Sequence, residues 1–170
     1  MDSHLSPVPW NTRDLWKEAN SCLAHSIWQN QPALADAYRH AHQIRCHLEL
    51  IFPMMDCLCR KTCPYCADIC CRRSWVWVDV KDLIFLHLAG IPVPGQQLLS
   101  RKGDRCRYGN PDGCRLDRIQ RPFVCTWYLC PAQTQRLRKV PADMKMISDS
   151  LQQLKRLRRE METSYIRAVT

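Results

Sequence analysis

The stretch 57-CLCRKTCPYCADICC-71 holds six cysteines in fifteen positions, and ten of the chain's twelve cysteines lie between Cys57 and Cys130. Thiols packed this densely serve as disulfide staples, as metal ligands or as redox groups, and each use imposes its own fold on the surrounding chain. The N-terminus, MDSHLSPVPW, has an acidic second residue and no apolar run, so it does not read as a secretory signal. The best apolar stretch, 83-LIFLHLAGI-91, is far too short to span a bilayer. The expectation is therefore a cytoplasmic chain with no membrane partner. Thiols stay reduced in that compartment, which disfavours staples and favours metal.

The remaining composition narrows the choice. With 46% hydrophobic and 24% charged residues, 170 residues should fold as one compact unit. Five glycines are few for a barrel, and neither G-x-G-x-x-G nor G-x-x-x-x-G-K-[ST] occurs, which removes those nucleotide-binding devices. The formal charge is +9. Eight thiolates on two divalent metals would bring it to about +5. Its densest basic run, 155-KRLRR-159, reads as a solvated helix face, so nucleic acid is set aside as a partner.

Three segments carry helical periodicity. In 11–30 the positions Leu15, Trp16, Ala19, Cys22, Leu23 and Ile27 share a face, with Asn11 and Asp14 as a capping pair. A second helix opens at Pro32 and runs through Ile44, Leu48 and Phe52 until Pro53 disturbs it; the short link predicts an antiparallel pair. A third runs from about Pro141 to the end, with Met144, Ile147, Leu151, Leu154, Met161 and Tyr165 as its stripe and Arg158 intruding at one seam position. Between them, 57–131 loses the period. It offers an alternating strand candidate, 75-WVWVDV-80, and a short helix over 80–89 capped by Asp79 and Asp82 and stopped by Gly90. The stretch 91–117 reads as irregular loop, for which metal would substitute as a core.

The cysteines fall into groups. Cys63, Cys66, Cys70 and Cys71 begin with a C-x2-C pair, whose sulfurs can reach one metal across a tight turn. Cys106, Cys114, Cys125 and Cys130 form a second group, its first two drawn together by the turn 109-GNPDG-113. Cys22 and Cys46 lie on helices and read as small core residues. Cys57 and Cys59 stay open, either spare thiols at the end of the second helix or a replacement ligand for the first group. Arg121 stands out as a cation able to donate to sulfur. His87, in an apolar helix, reads as a satisfied core histidine.

With 63-CPYCADICC-71, 79-DVKDL-83, Cys106 and 113-GCRLDRIQRPFVCTWYLC-130, the chain resembles the CxxCxxCC family, whose domain is of the YkgJ type and is described as zinc- or iron-chelating. The resemblance covers about residues 59–131 and implies Cys63, Cys66, Cys70, Cys71, Cys106, Cys114, Cys125 and Cys130 as metal ligands. The spacing here, C-x2-C-x3-CC, is one residue longer than the family pattern. Residues 59-CRKTCPYC-66 also spell C-x3-C-x2-C, the spacing by which radical-SAM enzymes hold an iron–sulfur cluster. The train of strands and the glycines such enzymes need are missing.

The resulting expectation is a mainly α protein. An N-terminal helical pair (1–56) and a long C-terminal helix (132–170) would surround an irregular, metal-stapled centre (57–131) with little β. The expected function is metal binding by thiolates rather than enzymatic turnover. Zinc is favoured over iron, and an iron–sulfur redox protein or enzyme component is the alternative. Beyond the metal ion, the helices could take a protein partner, the chain being a monomer or a weak dimer.

Overall fold

The computed structural model describes residues 8–66, 76–110 and 113–170. Helix α1, Arg13–Gln29, starts at Thr12, whose hydroxyl accepts the Leu15 N–H at 3.3 Å. Asn11 is not the cap, because its side-chain amide donates instead to the Ser100 carbonyl at 3.1 Å and fastens the helix start to a distant loop. The buried face of α1 is narrow: Trp16 and Ile27 are buried, while Leu15 and Cys22 are exposed.

A single 3-10 turn, Gln31–Leu34, takes Pro32, and α2 follows as Ala35–Thr62. Pro53 lies on the exposed side of α2 and does not end it. The proline has no N–H to offer the carbonyl of Glu49, but that residue is also exposed and can turn its carbonyl to water. The buried stripe Ile51, Met55, Leu58, Thr62 carries the period of Ile44 and Leu48 onward. Cys57 and Cys59 are therefore helical, and the irregular centre begins only at a second 3-10 turn, Cys63–Tyr65.

Helix α3, Val80–Leu88, has the expected capping box between Asp79 and Asp82, and Gly90 behind it takes φ +64°. The strand candidate before it is not a strand in the described part, Val76–Asp79. An isolated alternating segment lacks a partner strand, and the buried Gln97 side chain fills that place. Its Oε1 accepts the Val78 N–H at 2.8 Å and its amide nitrogen donates to the Val78 carbonyl at 3.0 Å. Strands β1, Gly109–Asn110, and β2, Gly113–Cys114, pair antiparallel across 109–114. Then come α4, Val124–Trp127, α5, Pro131–Leu137, and α6, Pro141–Val169.

The architecture is mainly α, with a long C-terminal helix and, among the described residues, one two-stranded sheet. Its densest packing sets α6 against α2, with α3 beside α6 and α1 against α3. The main core joins the α2 stripe to Ile147, Leu154 and Met161 of α6 and to Ile84 and Leu86 of α3. A second, smaller core gathers Val8, Trp16, Val78, Leu98 and Leu99; Leu23 and Val93 pack against both. Residues 91–116 thus possess apolar anchors of their own, in addition to any metal.

Arg158, the interruption in the α6 stripe, is 5% exposed and is an anchor of the fold. Its guanidinium donates to Asp82 Oδ1 at 2.7 Å and to Asp79 at 3.0 Å, and stands 4.7 Å over the Phe123 ring. Asp82 also accepts the backbone N–H groups of Phe123 (2.9 Å) and Asp79 (3.0 Å). Burial pushes the Asp82 carboxyl up to about 6, against the pull of Arg158. Every partner here is an N–H donor, so the group sits as a carboxylate above that pH. One ion pair thereby joins the start of α3, the middle of α6 and the segment leading to α4. No described helix is long and apolar enough to cross a membrane.

Candidate thiolate site

The continuation of α2 past Pro53 places Cys59 and Cys63 four residues apart, on one side of the helix end. The Cys59 sulfur is half-buried and takes hydrogen bonds from three side chains. Arg118 Nη2 approaches at 3.4 Å, Gln133 Nε2 at 3.6 Å, and the Cys63 thiol bonds to it as well. The Cys63 bond is the largest cause holding the Cys59 thiol down, to about 5 from its ordinary 9.0; burial opposes it, and the bond and charge of Arg118 and then the charge of Arg121 reinforce it. Cys59 is therefore a thiolate at neutral pH.

The surroundings fix this arrangement. Arg118 opens a 3-10 turn, Arg118–Gln120, its side chain only 8% exposed. Asp56 Oδ1, three residues before Cys59, accepts its Nε at 2.5 Å, and its guanidinium lies 5.8 Å from the Phe52 ring centre. Gln133 comes from the first turn of α5. Its Oε1 accepts the Cys130 N–H at 3.3 Å, and its own backbone N–H is accepted by the Cys130 sulfur. Gln133 thus ties the cap of α5 to Cys59. Thr62 bonds the Leu58 carbonyl at 2.8 Å and lies 3.9 Å from the Cys63 sulfur, fixing the last turn of α2.

The candidate ligands separate into two places. Cys63 begins the 3-10 turn, Cys66 follows it, and Cys130 connects to the same neighbourhood through Gln133. Cys106, Cys114 and Cys125 instead share the smaller core with Val78 and Leu99, Cys106 buried and Cys114 opposite Gly109 in the hairpin. Cys130, grouped with these three on sequence grounds, caps α5 and is linked to Cys59 through Gln133. Cys70 and Cys71 lie outside the described residues. Among the described residues, no three His, Cys, Asp or Glu side chains gather closely enough to hold a metal ion.

Other expectations need correction. Cys22 and Cys46 are exposed, not core. Cys46 falls two residues past Ile44, on the far side of α2, beside His42 Nδ1 at 3.8 Å. Arg121 spends its Nε on the Leu116 carbonyl at 3.1 Å, so the guanidinium bonded to sulfur is that of Arg118. His87 behaves as read: its Nε2 pairs with Asn20 Oδ1 at 3.0 Å, and burial lowers its pKa. Cys59, Arg118 and Gln133 were not picked out together because they are distant in sequence. The available signal was the C-x3-C spacing of 59 and 63, which puts two thiols on one face once the segment is helical.

Comparison of the chain with family models, with curated proteins and with solved structures returns no match.

Proposed function

We propose that this protein binds a thiophilic metal through cysteine thiolates, zinc in preference to iron. The observation that carries the reading is the half-buried Cys59 sulfur, with three side-chain donors turned toward it. Thiolates are the metal-binding form of cysteine, and donors to a ligating sulfur orient it and offset its charge. The donors fit a metal of this class in kind: soft sulfurs, with a guanidinium beside Cys59 to balance a multiply thiolate centre.

Cys59 and Cys63 would supply two ligands of one site, whose remaining ligands would come from Cys66, Cys70, Cys71 or Cys130 closing on the ion. Cys106, Cys114 and Cys125 would contribute to a second. Arg118 holds the Cys59 sulfur and is held by Asp56, so this chain supplies a fixed outer partner to the ligand. Zinc so bound gives a closed structural centre, whereas an iron–sulfur cluster gives electron transfer.

The test is purification without oxygen, followed by metal analysis and a visible spectrum. Colourless protein containing zinc supports the favoured reading, and absorption bands with iron support the redox alternative. The Cys59→Ser/Cys63→Ser double variant should lose bound metal, while Cys22→Ser and Cys46→Ser keep it. Full metal content in the double variant would overturn the site.

A further inference from the structure

An open cleft of about 380 Å³ lies between the first turn of α3, Phe123 and the middle of α6. Its lining is Asp79, Lys81, Phe123, Lys155, Arg158 and Arg159. Four of these six are cations, and none of them belongs to the thiolate site.

Their charges are unevenly compensated. Arg158 is taken up by Asp79 and Asp82, and Lys81 Nζ pairs with Glu162 at 3.1 Å. Among the described residues, Lys155 and Arg159 have no carboxylate partner. They stand at i and i+4, where like charges on a helix repel. Elsewhere α6 avoids this cost: Lys145 pairs with Asp149 at 2.6 Å and Arg156 with Glu160 at 3.5 Å, each at i+4. Arg167 sits in the last turn, where a cation meets the negative helix end. The repulsion is thus concentrated on the two residues facing the cleft. Lys155 is kept there by the Trp127 ring, whose centre is 5.4 Å from its Nζ; that contact orients the ammonium without neutralising it.

We propose that this cleft binds a small ligand carrying a diphosphate group, with Lys155 and Arg159 as the phosphate-binding residues and Phe123 as the apolar wall. Two cations one helical turn apart match two adjacent phosphates, and an arginine offers a tetrahedral oxyanion paired donors. The cations converge on a cavity the size of a small-molecule site.

The probe is inorganic pyrophosphate, titrated into the protein as purified and followed by calorimetry and by the amide signals of Phe123 and α6, with metal content measured before and after. Saturable binding is expected, weakened at least about tenfold in Lys155→Gln/Arg159→Gln, whose side chains are exposed and whose loss leaves the core intact. Arg136→Gln/Arg138→Gln, removing cations outside the cleft, should bind as the parent does. Absence of saturation, equal loss in both double variants, or saturable binding of a DNA oligonucleotide alone would each overturn the proposal.

Discussion

The two apolar clusters of this molecule are held together by different means. In the larger, α2 and α6 bring long stripes of side chains into contact, with backbone hydrogen bonds completed inside each helix. The smaller, built on 76–116, has almost no regular ladder among its described residues, and side chains complete its backbone bonds. Gln97 serves Val78, Leu98 and Pro9; the Tyr108 hydroxyl serves both the N–H and the carbonyl of Gln96; Trp16 Nε1 donates to the Pro94 carbonyl. Helical packing spreads its stability over many equivalent contacts, whereas a side-chain-bonded core concentrates it in a few. Cys106, Cys114 and Cys125 sit in the second kind of region, and Cys59 and Cys63 stand at the end of α2.

The strongest way to break the two regions apart is a chelator applied to reduced protein. Structural metal contributes on the order of 10 kcal/mol of apparent binding free energy, and the proposed ligands all lie at or beyond the end of α2. Amide exchange should lose protection over 57–66 and 106–130 while α6 and the first turns of α2 stay protected. Uniform loss would show the metal supporting the whole chain.

Next in size is Arg158→Leu, which leaves Asp82 buried without its cation and should cost about 3–5 kcal/mol. Chemical denaturation measures it, and the companion Arg158→Leu/Asp82→Asn should recover part of the loss. Full additivity of the two changes would mean that they do not act as one unit. Gln97→Ala should cost about 1–3 kcal/mol, because the N–H of Val78 and the carbonyl it served are left buried and unpaired. Exchange should speed at Val78 and Leu98 before it does in α2.

The pH dependence comes from Cys59. Its folded pKa of about 5 lies below the ordinary 9.0, so its contribution to stability is fully present above 9, shrinks as the pH falls below that value and is gone below about 5. Thiolate absorbance of metal-free protein should titrate near the lower value. Arg118→Gln should move it upward, and an unchanged midpoint would remove Arg118 from the account. Smallest are Cys22→Ser and Cys46→Ser, both exposed, which should alter stability by under about 0.5 kcal/mol.

Much of the larger cluster could be read directly. The α6 stripe, the capping box at Asp79 and Asp82 and the stop at Gly90 are local patterns, and all three are present. Pro53 misled because proline in a helix is tolerated where the freed carbonyl faces water, and local sequence does not say which side that is. The strand expected before α3 failed for want of a second strand, a non-local requirement that Gln97 meets from nineteen residues away.

The sequence by itself determined the middles of α1, α2 and α6 and the whole of α3, because period, caps and stops are set by neighbours three and four residues apart; the end of α2 and the short α4 and α5 it did not determine. It also determined that thiol chemistry concentrates at the centre, since the cysteines are simply there. Which cysteine becomes ionised was decided only by the tertiary structure. The pKa of Cys59 depends in part on Arg118, and its sulfur on Gln133, 59 and 74 residues away, and no local rule brings those donors to that sulfur. The same holds for Arg158, an apparent flaw in an apolar stripe until Asp79 and Asp82 arrive from 79 and 76 residues earlier. Electrostatic partners act over a few ångströms of space, whatever their separation along the chain.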